Sequence, residues 1–319
     1  MPLMEARAYY KPFEYDWAFE AYKAQQQMHW LPDEINLADD IKDFRENITE
    51  KERNLLLNIF KFFTQADVDV AGAYSTEYLP TFRVPEVRMM LSSFAAIEAV
   101  HQDAYSLLLE TLGLGDDQYT EFMSVAAMAE KHEYLREFSM DDPYEIAKSM
   151  AVYSAFTEGI QLFSSFAILM NFPRFNKMKG MGQIVTWSIR DETLHVESMS
   201  QLFKTFVHEH PEIWCDKLKY ELYCAAERSV ELEDAFIDLA FEMGGVEGLE
   251  PDEIKNYIRY IANRRLLGIG LKPVYDVAEN PLPWLDYMLN GVEHANFFES
   301  RATEYAKAST TGNWQDIFQ

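Results

Sequence analysis

The stretches LSSFAAIEAVHQDAYSLLLE (Leu91–Glu110) and IVTWSIRDETLHVESMSQLF (Ile184–Phe203) decide the fold. Each has helical periodicity and each carries Glu-x-x-His. In the first, Leu91, Phe94, Glu98, His101, Tyr105 and Leu108 share one stripe. In the second, Val185, Ser188, Glu192, His195, Met199, Leu202 and Phe206 do the same. Such a stripe faces a core, and here a carboxylate and an imidazole interrupt it. Residues three apart on a helix are neighbours, roughly 5–6 Å apart, so each pair can offer two ligands to one metal ion. A buried carboxylate needs a partner, and a metal ion is one. Seven histidines in a Glu-rich chain produce about one chance Glu-x-x-His, so two copies also fit core histidines with local hydrogen bonds. The rest of the chain must decide.

The chain has 319 residues, 48% of them hydrophobic and 14% aromatic, enough for a large core in one or two domains. A net charge of −25 argues against nucleic acid or an anionic membrane as partner. The two cysteines, Cys215 and Cys224, form no CxxC and no disulfide framework, which points to a reducing compartment. Nothing at the N-terminus resembles a signal peptide. The most apolar stretch, GIQLFSSFAILMNF, is too short to span a bilayer, so a cytoplasmic location is expected.

Outward from the two motifs, the text is helical. Residues 1–30 read as an aromatic, proline-containing arm with one helix over Asp16–His29, ended before Pro32. Thr49 and Glu52 form a capping-box signal. The helix that follows places Leu56, Ile59, Phe60, Phe63, Asp67, Val70 and Tyr74 on one stripe, with Asp67 the buried carboxylate and Asp69 off the stripe. A loop over Leu79–Pro85 leads into the first motif helix. Two helices are expected, one between Tyr119 and Glu137 and a second between Asp142 and Met170 that embeds Glu158 in an apolar stripe. The segment KMKGMG reads as a linker before the second motif helix. Further helices are expected over Glu212–Met243 and Asp252–Leu267, separated by a turn with Gly244, Gly245 and Gly248. The end, ASTTGNWQDIFQ, reads as a mobile tail.

Four carboxylates and two histidines thus lie on inward faces: Asp67, Glu98, His101, Glu158, Glu192 and His195. A bundle core with single carboxylates from two helices and Glu-x-x-His from two others is the dimetal-carboxylate arrangement. Four carboxylates balance two divalent ions while the imidazoles bind neutral. This donor set suits iron or manganese. Each imidazole needs an acceptor for its second N–H, and Asp191, beside Glu192, is a candidate.

The residues Trp30, Asp67, IEAVHQDAY (97–105), Glu158, IRDETLH (189–195), IANRRLLGIGL (261–271) and FFESRATEY (297–305) resemble the small, radical-bearing subunit of class I ribonucleotide reductase, a ferritin-like family. The resemblance spreads over nearly the whole chain. It implies an all-α, ferritin-like helical bundle over residues 31–300, an N-terminal arm over 1–30, and a flexible tail over 301–319 that binds the large subunit. It implies two Fe or two Mn per chain on the six ligands, a tyrosyl radical on Tyr105, and a relay through Trp30, Asp191 and Tyr305 to the large subunit. It also implies a homodimer, with a flavoprotein activase as a candidate further partner. Ser188 departs from the family, in which an apolar residue often stands there. In some members the metals themselves hold the oxidant, and the residues do not choose between these alternatives. A self-contained dimetal oxidase is the competing reading, against which Trp30, Tyr305 and WQDIF count. A ferritin-type storage protein would leave Tyr105 unexplained.

Overall fold

The computed structural model describes residues 2–115, 119–121, 125 and 139–289, and of residues 62–67 the backbone alone. Most of the helix expected between Tyr119 and Glu137, and the tail with Tyr305, lie outside the described residues. The chain forms two units, residues 1–281 and residues 282–319. The first is an all-helical body. Of the second, residues 283–289 are helical. Among the described residues there is no strand, only an isolated antiparallel bridge between Val246 and Leu249 in the glycine-containing turn.

Helix α1 (Asp16–Gln27) is followed by the short α2 (Ala38–Lys42). Helix α3 (Glu50–Gly72) starts at the expected capping box. Thr49 Oγ1 accepts from the Glu52 N–H at 3.2 Å, and Glu52 Oε2 accepts from the Thr49 N–H at 2.7 Å. The chain continues from α3 into a π-helical stretch, Ala73–Tyr78. Helix α4 (Pro85–Leu112) carries the first motif and ends at Gly113, whose φ of 77° is the left-handed stop that glycine adopts without strain.

Helix α5 (Pro143–Met150) is capped by the Asp142 side chain and runs on through a second π-helical stretch, Ala151–Gln161, into α6 (Phe163–Arg174). The single regular helix expected here is therefore wound wider over eleven residues, and Glu158 sits in that part. Helix α7 (Lys179–Glu209) carries the second motif; α8 (Asp216–Ala240) and α9 (Pro251–Gly268) follow.

KMKGMG is not a linker throughout, because α7 already begins at Lys179. The reason lies far away in the chain. Asp40 of α2 accepts from the Gly180 and Met181 N–H groups at 2.9 and 2.8 Å, satisfying donors that the first turn leaves without helical partners. Helix α4 packs against α3, α1 and α7; the second π stretch packs against α7, α8 and α9. The faces of α3, α4, α7 and the second π stretch thus enclose one core, filled by Phe94, Phe156, Phe166, Leu169 and Met199.

Candidate metal centre

Helix α4 brings Glu98 and His101, α7 brings Glu192 and His195, and the second π stretch brings Glu158. All five side chains are buried. Glu98, Glu158, Glu192 and His195 each offer one ligand atom, and those atoms lie within 4.8 Å of one another. His195 Nδ1 is 3.1 Å from Glu98 Oε1, 3.5 Å from Glu192 Oε2 and 3.6 Å from Glu158 Oε1. His101 joins through its own Nδ1, 3.3 Å from Glu98 Oε2 and 3.4 Å from Glu192 Oε1. Asp67 belongs to α3, which packs against α4; its side chain lies outside the described residues.

Three of these atoms decide what the cluster fits. Glu98 Oε1, Glu192 Oε2 and His195 Nδ1 are buried and make no hydrogen bond. A buried polar atom left unpaired costs roughly 1–3 kcal/mol, so three facing one point are unfavourable unless something else binds there. Carboxylate oxygens and an imidazole nitrogen gathered at one place are the donor set of a hard divalent ion.

The opposite edge of each imidazole is held. His101 Nε2 meets Asp191 Oδ2 at 3.2 Å, and His195 Nε2 meets Gln25 Oε1 at 3.1 Å. Both acceptors fix the Nε2–H tautomer and leave Nδ1 for the centre. Asp191 is fully buried and also accepts from Trp30 Nε1 at 2.8 Å and from Gln25 Nε2 at 3.2 Å. It therefore joins His101, on α4, to Trp30, and Gln25 ties this set to His195.

Electrostatics follow from the crowding. Burial opposes protonation of both imidazoles, but the carboxylates outweigh it. His101 is pushed well above its ordinary value, chiefly by Glu98, and His195 by Glu158, Glu192 and Glu98. Burial also opposes ionisation of Glu98, yet the two imidazoles hold it down at about 2. Burial dominates at Glu158 and pushes it up to about 8.

Tyr105 is buried on α4, one turn past His101, and donates to Ser188 Oγ at 2.8 Å. The polar Ser188 thus meets the phenol directly. Sequence reasoning missed three neighbours. Gln25 gave no signal, being one of three consecutive glutamines. The ring of Trp187 lies 5.1 Å from that of Trp30, tilted by 53°. Tyr74 donates to Glu158 Oε1 and Oε2 at 2.7 and 2.9 Å; its place on the α3 stripe was readable, but not its partner.

A family model described as "Ribonucleotide reductase, small chain" matches residues 7–281. The chain belongs to this family. A probable ribonucleoside-diphosphate reductase small subunit of Invertebrate iridescent virus 6 is 44% identical over 356 aligned residues, covering 100% of this chain and 99% of that protein. The ribonucleoside-diphosphate reductase subunit beta of Chlamydia pneumoniae is 32% identical, covering 95% and 90%. Among solved structures, the ribonucleotide reductase R2 subunit from Clostridium botulinum superposes with a TM-score of 0.81 at 25% identity, covering 86% of this chain and 89% of that one. The ferritin-like helical bundle expected from the sequence is the fold of this family, and the buried carboxylate–histidine cluster is compatible with its dimetal site. Among the described residues, no helix is long and apolar enough to cross a membrane.

Proposed function

We propose that Asp67, Glu98, His101, Glu158, Glu192 and His195 hold two iron or two manganese ions, and that the chain works as the oxidant-bearing subunit in the reduction of ribonucleotides to deoxyribonucleotides. The observation that carries this is the set of three buried, unpaired donor atoms facing one point. When bound, the metals supply a one-electron oxidant. The chain's residues do the rest. Tyr105, walled off from water, stores the oxidant on its phenol. Asp191 keeps Trp30 and His101 on one carboxylate, which gives the oxidant an aromatic exit. Tyr305 and the apolar WQDIF end, within a tail over 301–319, continue that exit to the large subunit. Residues 1–30 act as an arm that delivers Gln25 and Trp30 to the bundle over 31–300. The functional unit is a homodimer in the cytoplasm, and a flavoprotein activase is a candidate partner if the metal is manganese.

The test is metal analysis with electron paramagnetic resonance on protein from its native source. About two metals per chain with an organic radical lost on mild quenching support Tyr105 as the store. A metal-centred signal alone moves the oxidant onto the metals. Absence of metal overturns the reading. In Tyr105→Phe, metal content should be retained and the long-lived radical lost. In Tyr305→Phe, the centre should assemble while nucleotide reduction with the large subunit stops.

A further inference from the structure

Tyr74 has no part in the relay described above, yet its phenol sits on Glu158. It is 1% exposed, and its ring lies 5.8 Å from that of His195. It is also the first of a series. The ring of Tyr78 is 6.1 Å from that of Tyr74, and the ring of Tyr153 is 6.4 Å from that of Tyr78. Tyr78 is buried, with its hydroxyl 3.3 Å from Ser149 Oγ. Tyr153 is half-buried and lines a surface cavity of about 280 Å³ with Asp69, Thr76, Glu77 and Ser149. The series therefore runs from a candidate ligand to the protein surface, on different residues from Trp30.

We propose that Tyr74 is a second oxidisable tyrosine of the centre, and that Tyr78 and Tyr153 bridge it to an electron donor docking at that cavity. The inference rests on the dimetal reading. In the oxidising step Tyr74 would give up one electron to the oxidant that bound metals would supply. The phenolic O–H breaks and its proton passes along the 2.7 Å hydrogen bond to Glu158 Oε1, leaving a neutral phenoxyl. In the return step a one-electron donor at the cavity is oxidised. Its electron crosses the Tyr153 and Tyr78 rings, which keep their own protons, and Tyr74 recovers its proton from Glu158. Asp69 and Glu77 at the mouth favour a cationic donor. The pathway lets surplus oxidant at the centre be cleared without passing through Trp30.

The test uses the metal-loaded full chain. In Tyr105→Phe exposed to oxygen, rapid freeze-quench paramagnetic resonance should find a short-lived tyrosyl signal that changes shape with ring-deuterated tyrosine. The signal should vanish in Tyr105→Phe/Tyr74→Phe at unchanged metal content. With the methyl viologen radical cation as donor, its decay in Tyr105→Phe should slow about tenfold on adding Tyr153→Leu and not on adding Tyr153→Phe, which keeps the aromatic ring. Tyr78→Leu and Tyr78→Phe repeat the comparison one ring deeper. Normal metal content with no tyrosyl signal in Tyr105→Phe, or with a signal that survives loss of Tyr74, overturns the inference alone. Equal decay in the Leu and Phe variants overturns the bridge. Absence of metal in the unmodified chain overturns the dimetal reading, and this inference with it.

Discussion

Gln25 holds two parts of the centre with one amide, its oxygen on His195 and its nitrogen on Asp191. Neither group is itself changed by Gln25→Leu, but His195 loses the acceptor that fixes its tautomer. Metal affinity should fall by about 10–100-fold, read by competition with a chelator, while helical content stays the same. The same geometry predicts a pH dependence. In the metal-free protein the carboxylates raise the proton affinity of the His101 and His195 imidazoles well above the ordinary value, and burial raises Glu158 to about 8. Metal must displace the protons bound there. Affinity should therefore rise with pH from about 6 to about 8, with proton release visible by calorimetry in buffers of different ionisation enthalpy. A flat profile would mean that the cluster is already deprotonated without metal. At this scale the motif pairs were readable because both partners of each lie on one stripe. Gln25 was not, because a single polar residue on an amphipathic helix says nothing about what it will meet.

At the scale of elements, the start of α7 sets the register of the centre. Gly180 lies so close to the α2 region that an added Cβ would stand 2.7 Å from the Asn36 carbonyl oxygen and 2.9 Å from Asp40 Oδ2. A carbonyl oxygen cannot step aside as a flexible side chain can. Gly180→Ala should cost about 1–3 kcal/mol and lower the thermal midpoint by several degrees, measured by calorimetry on the metal-free chain. The sequence could not reveal this start, since the cap comes from Asp40, 140 positions earlier. The second π stretch was hidden for a related reason. Its apolar stripe reads as ordinary helix, while part of what accommodates it is Arg265 of α9, whose Nε donates to the Gly159 carbonyl at 2.9 Å. Helices whose caps are local, such as α3 with Thr49 and Glu52, began where the sequence placed them.

For the whole molecule, a net charge of −25 means that folding gathers like charges. Raising sodium chloride from about 10 mM to about 150 mM should raise the urea midpoint of the metal-free chain, because the Debye length shrinks from roughly 30 Å to 8 Å. A fall in the midpoint would instead mean that ion pairs such as Arg259 with Asp234 dominate the balance. The buried centre adds to the same charge problem. Two divalent ions would neutralise four carboxylates, so chelation should lower the midpoint; at metal concentrations about 100-fold above Kd the loss is about 2.7 kcal/mol.

Helix α7 alone presents Ser188, Asp191, Glu192 and His195. These four span roughly 10 Å along one axis, at a rise of about 1.5 Å per residue. They touch the phenol of Tyr105, the Trp30 carboxylate link and the ion-facing cluster in turn. The helix thus behaves like a camshaft. A small rotation anywhere along it would shift its contacts with Tyr105, with the Trp30 link and with the carboxylate–histidine cluster together, so anything that twists α7 from outside would change all three at once.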